Sequence, residues 1–293
     1  LVRKYGFDAG VVISASHNPA EFNGIKFFNT QGYKLSDELE ERIEAIILDK
    51  SEEVPSPMGK DVGITTELET AVDDYVEFAT GTINCDLKGL KIAVDCANGA
   101  IYKAAPKAIS KLGAELFVIC DEPDGLNINA GCGSTHIERL MKFTVENKCD
   151  VGLAFDGDAD RVLAVDENGS LVDGDKMMSI IGLSMKKKGL LNRETIVATV
   201  MSNLGLDVMA RENGINIIKT TVGDRYVLEK MLEGDYMLGG EQSGHIIIRT
   251  HNTTGDGLVT ALQLLQVLKE SGRKLSELAG IMNVFPQVLK NAR

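Results

Sequence analysis

The sequence lacks several features that would point away from a globular intracellular protein. No apolar run approaches the roughly 18 residues that a membrane-spanning helix needs, and no stretch resembles a signal peptide. The five cysteines include no Cys-x-x-Cys pair and no zinc-like grouping with the four histidines, so we expect reduced thiols. We therefore expect a soluble, cytoplasmic protein with no membrane partner.

The sequence also lacks an excess of basic side chains. It contains 31 lysines and arginines and 43 aspartates and glutamates, which gives a net charge of -12. This balance argues against a nucleic-acid partner, because such partners are bound through basic surfaces. A small phosphorylated ligand stays possible, provided that lysines, arginines or helix N-termini are concentrated around it.

The segments that are present alternate between strand-like and helix-like patterns. This alternation over 293 residues favours the α/β class and about two or three domains. A helix with apolar positions at helical spacing is predicted over 37–48, and the polar segment 49–63 is predicted to be a linker. Further strands are predicted at 90–94, 151–155, 196–200, 215–220 and 236–238, with helices at 224–232 and 256–268.

The first chemical motif is Ser-Ala-Ser-His-Asn-Pro at 14–19, directly after the apolar run 10–13. The apolar run predicts a buried strand, and ligands in open α/β sheets gather beyond the carboxyl ends of strands. Ser16 is therefore a candidate nucleophile. Serine and Asn-Pro are also common in turns, so a plain turn is the alternative.

The second motif places Asp156, Asp158 and Asp160 after another apolar strand. Carboxylates at alternate positions, separated only by small residues, can converge on one hard cation, and the alternative is a solvated acidic turn. A calcium EF-hand loop is another alternative, because Glu167 falls at the position of the last glutamate ligand of such a loop. The loop also requires glycine at its sixth position, however, and Arg161 occupies that position. The pattern favours Mg²⁺, with a phosphate oxygen nearby.

The third motif is the glycine-punctuated segment 239–245, where Glu241, Ser243 and His245 offer the hydrogen bonds that a sugar demands. A simple hairpin turn is the alternative. Lys26 follows the serine motif and brings a cation. Residues 224–225, Asp-Arg, open a predicted helix whose N-terminus favours anions.

Together these motifs resemble those of the α-D-phosphohexomutase superfamily. The resemblance rests on Ser-Ala-Ser-His-Asn-Pro, Asn-Gly-Ile-Lys, Asp-Gly-Asp-Ala-Asp-Arg and Gly-Glu-Gln-Ser-Gly-His, in this order, and extends over nearly the whole chain. It implies tandem α/β domains with mixed sheets flanked by helices. Part of a first domain would occupy 1–70, a second domain 71–165 and a third 166–293.

The resemblance also implies a role for each candidate residue. Ser16 matches a serine that carries a phosphoryl group and, with Asp156, Asp158 and Asp160, binds the metal. The remaining candidates fall into two groups: catalytic residues Lys26, Arg161 and His17, and substrate contacts Glu241, Ser243, His245, Asp224 and Arg225.

The implied activity is an isomerase reaction that interconverts glucosamine 6-phosphate and glucosamine 1-phosphate, on the route to UDP-N-acetylglucosamine. Phosphoserine, Mg²⁺ and glucosamine 1,6-bisphosphate would take part, in a monomer or a homodimer. Mannose or glucose phosphates are the alternative substrates within the superfamily.

The sequence departs from the superfamily pattern in one respect. An Arg-x-Ser-Gly-Thr phosphate-binding motif does not occur in it. We expect a chain truncated at both ends, with little mutase activity as it stands.

Two rival functions remain. A haloacid-dehalogenase-like phosphatase would use Asp156 as its nucleophile and Asp158 as its acid, but it would leave Ser16 without a role. A sugar-phosphate-binding regulator would need no phosphorylated serine.

Overall fold

A computed structural model describes residues 1–288 of the chain. Within this range no helix is long and apolar enough to cross a membrane. The strands form three separate sheets of two, five and four strands, and helices pack against the two larger ones. The predicted α/β class with mixed sheets is confirmed, while the domain boundaries stay a prediction.

The first unit is a small antiparallel ribbon. Its elements are α1 (Val2–Tyr5), β1 (Ala9–Ser14), β2 (Gly24–Asn29) and α2 (Asp37–Leu48), and β1 pairs only with β2. The prediction that β1 is buried is wrong, since Val11 is 54% and Ile13 is 69% exposed. An apolar strand is buried only where other elements cover its faces. Within residues 1–288 the only sheet partner of β1 is β2, and few side chains pack over the two strands.

The second unit contains the five-stranded sheet. Its elements are α3 (Ala71–Thr80), β3 (Lys91–Asp95), α4 (Ala104–Lys111), β4 (Glu115–Ile119), α5 (Glu138–Glu146), β5 (Val151–Phe155), β6 (Val162–Asp166) and β7 (Leu171–Val172). The strand order is β4-β3-β5-β6-β7. The first three strands run parallel, whereas β6 and β7 are antiparallel additions. Short 3₁₀ turns precede α3, at Gly59–Asp61, and α4, at Ala100–Tyr102.

The third unit contains the four-stranded sheet, of order β11-β10-β8-β9. Its elements are α6 (Gly174–Lys187), a 3₁₀ turn (Asn192–Glu194), β8 (Thr195–Thr199), α7 (Leu204–Glu212), β9 (Asn216–Thr220), α8 (Asp224–Gly234), β10 (Leu238–Gly240), β11 (Ile246–Ile248), α9 (Gly257–Ser271) and α10 (Leu275–Ala279). The predicted strand at 236–238 begins two residues later than expected.

One hydrophobic core joins the second and third units, and α9 lies at its centre. This helix contacts α3, α6 and β6, and it buries apolar side chains along its length. Its first turn begins at Asp256, whose carboxylate accepts hydrogen bonds from the Val259 amide (3.0 Å) and the Tyr75 hydroxyl (2.7 Å). Because Tyr75 belongs to α3, the start of α9 connects the two units.

Candidate active site

The three motif loops meet around one cleft of about 840 Å³. Each loop follows the end of a strand: β1 leads to the Ser16 loop, β5 to the aspartate loop and β10 to the loop at 241–245. Backbone hydrogen bonds join neighbouring loops, because the Gly157 amide donates to the Ser16 carbonyl (3.1 Å) and the Val162 amide donates to the Gly244 carbonyl (3.2 Å). Segments far apart in the sequence thus form one site.

Ser16 has a left-handed backbone conformation, with φ of +52°. Its amide donates to Ser14 Oγ at 2.8 Å, and its own Oγ lies 3.4 Å from His17 Nδ1. The Ser16 carbonyl accepts a second hydrogen bond, at 2.8 Å, from Nδ2 of Asn129, which also donates to the Asn18 carbonyl at 2.8 Å. The hydroxyl therefore lines the cleft while the backbone beneath it is fixed.

The three aspartates form the turn between the antiparallel strands β5 and β6. Strands instead of helices flank the turn, which excludes the EF-hand. One oxygen of each carboxylate lies within 4.8 Å of an oxygen of the other two. Each side chain also keeps one buried oxygen without a hydrogen-bond partner: Asp156 Oδ2, Asp158 Oδ1 and Asp160 Oδ1.

The other oxygen of each carboxylate has a partner. Asp156 Oδ1 accepts from the Arg161 amide at 3.1 Å. Lys26 Nζ donates to Oδ2 of Asp158 at 2.5 Å and of Asp160 at 3.0 Å. Burial, with the negative charges of Asp160 and Asp158, raises the pKa of Asp156 to about 8. The three carboxylates thus repel one another, each has one oxygen without a partner, and a hard cation would relieve the repulsion.

Two cations stand beside this cluster. Burial acts to lower the pKa of Lys26, but Asp160 and Asp158 outweigh it and raise the pKa, so the ammonium stays charged. Arg161 also lines the cleft, with its Nε buried and unpaired and 4.0 Å from Asp160 Oδ1. A buried guanidinium nitrogen without a hydrogen-bond partner favours an anionic acceptor, and a phosphate oxygen is a strong acceptor for it.

The loop at 241–245 is both a hairpin turn and part of the cleft. The Glu241 amide donates to the His245 carbonyl (2.9 Å), which closes the turn between β10 and β11. The Glu241 carboxylate accepts from the Gly223 amide at 3.1 Å and lies 3.4 Å from Ser243 Oγ. The sugar-loop and hairpin interpretations therefore describe the same structure.

His245 lines the cleft and is almost fully buried. Both of its ring nitrogens are buried without a hydrogen-bond partner. They lie near two carboxylates, with Nε2 at 3.9 Å from Asp160 Oδ2 and at 3.8 Å from Asp224 Oδ2. Burial lowers the pKa of His245, so a neutral imidazole faces the cleft.

The structure does not bring every predicted site residue into the cleft. Four predicted residues are not among those that line it: His17, Asp156, Asp158 and Arg225. Asp156 is fully buried, and the Arg225 guanidinium pairs with Asp37 and Glu229. Ser16 lines the cleft, but its hydroxyl makes no hydrogen bond to the three aspartates.

Sequence reasoning missed two residues. Asn129 holds the Ser16 backbone, and Lys34 lines the cleft and pairs with Asp224. The first belongs to an irregular loop and the second to a short polar segment, so no local pattern marked them.

A serine, a carboxylate cluster and a polar loop around one cleft between α/β units form the layout of a phosphoryl-transfer protein. Comparison with known proteins makes the class specific. Three models of the phosphoglucomutase/phosphomannomutase family match: alpha/beta/alpha domain I at 1–54, domain II at 73–169 and domain III at 173–285. The chain belongs to this family.

Individual relatives agree with this assignment. The phosphoglucosamine mutase of Acetivibrio thermocellus is 68% identical over the whole chain, which covers 65% of that protein. A solved phosphoglucomutase/phosphomannomutase family protein from Burkholderia thailandensis superposes with a TM-score of 0.80 at 27% identity, over 94% of this chain and 59% of that one.

A more distant solved structure is the Aspergillus fumigatus N-acetylphosphoglucosamine mutase in complex with GlcNAc-6P and magnesium. It superposes with a TM-score of 0.69 at 18% identity, over 97% of this chain and 74% of that one. At this identity the likeness shows the fold. The chain thus spans about two thirds of the length of the curated relatives it matches, 65% for the first of them.

Proposed function

We propose that this chain carries the phosphoserine, metal-binding and sugar-binding parts of a hexosamine-phosphate mutase. The reaction interconverts glucosamine 6-phosphate and glucosamine 1-phosphate through the 1,6-bisphosphate. The observation that carries the proposal is that Ser16, Asp160 of the aspartate cluster and the loop at 241–245 line one cleft. The 68% identity with a phosphoglucosamine mutase favours glucosamine over mannose or glucose as the sugar.

Ser16 is the phosphoryl carrier in this proposal. Ser16 lines the cleft, and its carbonyl oxygen accepts hydrogen bonds from both the Gly157 amide and the Asn129 side chain. Phosphoryl transfer depends mostly on positioning, so a fixed serine backbone is what the reaction requires.

Mg²⁺ fits the aspartate cluster. Carboxylate oxygens are hard ligands, one from each aspartate lies within 4.8 Å of the other two, and each side chain has a buried oxygen free to bind a small divalent cation. When bound, the ion neutralises negative charge on the phosphoryl group in transfer. Asp156, Asp158 and Asp160 would hold it, with Ser16 or its phosphate beside them.

The remaining side chains bind and orient the substrate. Lys26 and Arg161 contribute positive charge for phosphate oxygens, and the raised pKa of Lys26 makes it an electrostatic partner instead of a proton acceptor at neutral pH. The neutral His245 can donate one hydrogen bond and accept another, as sugar hydroxyls require. Glu241 and Ser243 offer further acceptors and a hydroxyl on the same wall.

The phosphatase alternative is not favoured, because the family match covers the serine loop that such an enzyme would not use. The choice of sugar can be tested on the half-reaction. The chain would be incubated with Mg²⁺ and with glucosamine, mannose or glucose 1,6-bisphosphate, and the rate of phosphoserine formation measured by intact mass. Fastest transfer from the glucosamine compound supports the proposal, and faster transfer from the mannose or glucose compound overturns it.

A further inference from the structure

Outside the cleft, one cluster brings two thiols and a carboxylate together. The donor atoms of Asp95, Cys120 and Cys132 lie within 4.8 Å of one another. Asp95 is the last residue of β3, and Cys120 comes directly after the neighbouring strand β4. Cys132 lies on the loop that follows β4, and this loop brings the Cys132 sulfur back beside the ends of β3 and β4.

The backbone on both sides of the thiol pair is fixed. The Asn98 amide donates to the Cys120 carbonyl at 2.7 Å. The Gly133 amide, next to Cys132, donates to Asp95 Oδ2 at 2.9 Å. Gly133 has φ of +73°, and an added Cβ there would lie 2.6 Å from the Ala97 Cβ, so the chain has little freedom at this point. The two sulfurs are therefore held near each other by the fold.

The two thiols differ in reactivity. The neighbouring Cys120 thiol lowers the pKa of Cys132, while the neighbouring Cys132 and burial raise the pKa of Cys120. The Asn98 side-chain amide also donates to Cys132 Sγ, at 3.8 Å. Cys132 is fully buried, whereas Cys120 is partly exposed. An accessible thiol thus lies beside a buried, thiolate-prone one, as in a pair that forms a disulfide.

A metal site is less well supported by the same residues. Structural zinc takes four ligands, and only three donors converge here among residues 1–288. Both carboxylate oxygens of Asp95 also accept hydrogen bonds from the backbone: Oδ1 from the Ala97 amide at 2.9 Å, and Oδ2 from the Gly133 amide. The carboxylate fixes the turn, which leaves the two sulfurs to react with each other.

We propose that Cys120 and Cys132 are a redox-sensitive pair that forms a reversible disulfide when a hydroperoxide oxidises the protein. The Cys132 thiolate attacks hydrogen peroxide and becomes a sulfenic acid, and the departing hydroxide takes up a proton and leaves as water. The Cys120 sulfur then attacks the Cys132 sulfur, the S–S bond forms, and the hydroxyl leaves as water with the Cys120 proton. Two thiols and one H₂O₂ thus give one disulfide and two waters.

The pair is connected to the candidate active site through Asn129. This residue lies on the loop between the two cysteines, and its amide donates to the Ser16 and Asn18 carbonyls. A disulfide that closes this loop restricts its opening, and so restricts the loop of Ser16. Oxidation would therefore slow hydrogen exchange over residues 14–19.

The test treats the native chain with H₂O₂, blocks free thiols and maps the peptides by mass spectrometry. We expect the number of titratable thiols to fall from five to three, a linked Cys120–Cys132 peptide, and full reversal by dithiothreitol. Cys120→Ser and Cys132→Ser should each abolish the link, while the matched control Cys85→Ser should retain it.

Three outcomes would overturn the proposal. They are five free thiols after treatment, sulfinic or sulfonic acid at Cys132 without a link, and stoichiometric zinc binding that requires both cysteines. An unchanged rate of exchange over residues 14–19 in the oxidised protein would refute the connection to Ser16.

Discussion

The contact between the aspartate loop and the Ser16 loop depends on a glycine, and Gly157→Ala tests it. An added Cβ at Gly157 would press against the Ser16 carbonyl oxygen and would lie 2.6 Å from Ile128 Cδ1 and 3.0 Å from Asn129 Nδ2. Real Cβ atoms essentially never come closer than 3.0 Å to another atom, and ordinary contacts begin at 3.4 Å. The Ser16 loop or its support must therefore move by at least several tenths of an ångström.

Such overpacking costs about 1–3 kcal/mol in well-packed proteins. We expect Gly157→Ala to weaken the attachment of the Ser16 loop by this amount, which corresponds to roughly 5- to 150-fold faster hydrogen exchange over residues 14–19. Phosphorylation of Ser16 from glucosamine 1,6-bisphosphate should slow as well, since displacement of a reacting group by about 1 Å can reduce a rate about 100-fold.

The control is Gly63→Ala. An added Cβ at Gly63 meets nothing within 4 Å, and the backbone there is not left-handed. Hydrogen exchange over residues 14–19 should be as slow in this variant as in the wild type. The reasoning is wrong if Gly157→Ala leaves both exchange and phosphorylation at wild-type rates, or if the two variants behave alike.

Three further predictions concern the Ser16 loop, the aspartate cluster and the buried carboxylate of Asp175. Asn129→Ala removes two hydrogen bonds to the Ser16 loop and should weaken its attachment by about 1–3 kcal/mol, measured by hydrogen exchange, with Asn127→Ala as a control on the same loop. Mg²⁺ at about 100 times its Kd should stabilise the chain by about 2.7 kcal/mol in thermal unfolding, and Asp158→Asn should largely remove this effect; equal stabilisation of both proteins would argue against the aspartate site. Burial raises the pKa of Asp175 to about 6, so its contribution to stability is present below about pH 4 and is lost as the pH rises through about 6. The free energy of unfolding of Asp175→Asn, measured in urea, should therefore rise by about 3 kcal/mol relative to that of the wild type between pH 4 and pH 7. A difference between the two proteins that stays constant with pH would contradict the assigned pKa.

The regular elements could be predicted because their signals are local. The helix predicted over 37–48 is α2, and the strand predicted at 151–155 is β5. The exposure of β1 could not be predicted, because Val11 and Ile13 have the composition of a buried strand. Their environment depends on which elements cover the ribbon, and no local pattern of β1 specifies that.

The same distinction applies to the site. The aspartate turn could be located because a spacing of two residues along the chain brings the carboxylates together. Asn129 could not, because its contact with Ser16 spans 113 residues of sequence. The position of Arg225 at a helix start was correct, but its pairing with Asp37 depends on the packing of α2 near α8, so its assignment to the cleft had no local basis.

The central claim is that Ser16 carries the phosphoryl group, and phosphopeptide mapping tests it most directly. The chain would be incubated with Mg²⁺ and glucosamine 1,6-bisphosphate and then digested, and the modified residue located by mass spectrometry. We predict a single phosphoryl group on Ser16, lost in Ser16→Ala and retained in Ser14→Ala. A phosphoryl group on Asp156, or none on Ser16, would contradict the account.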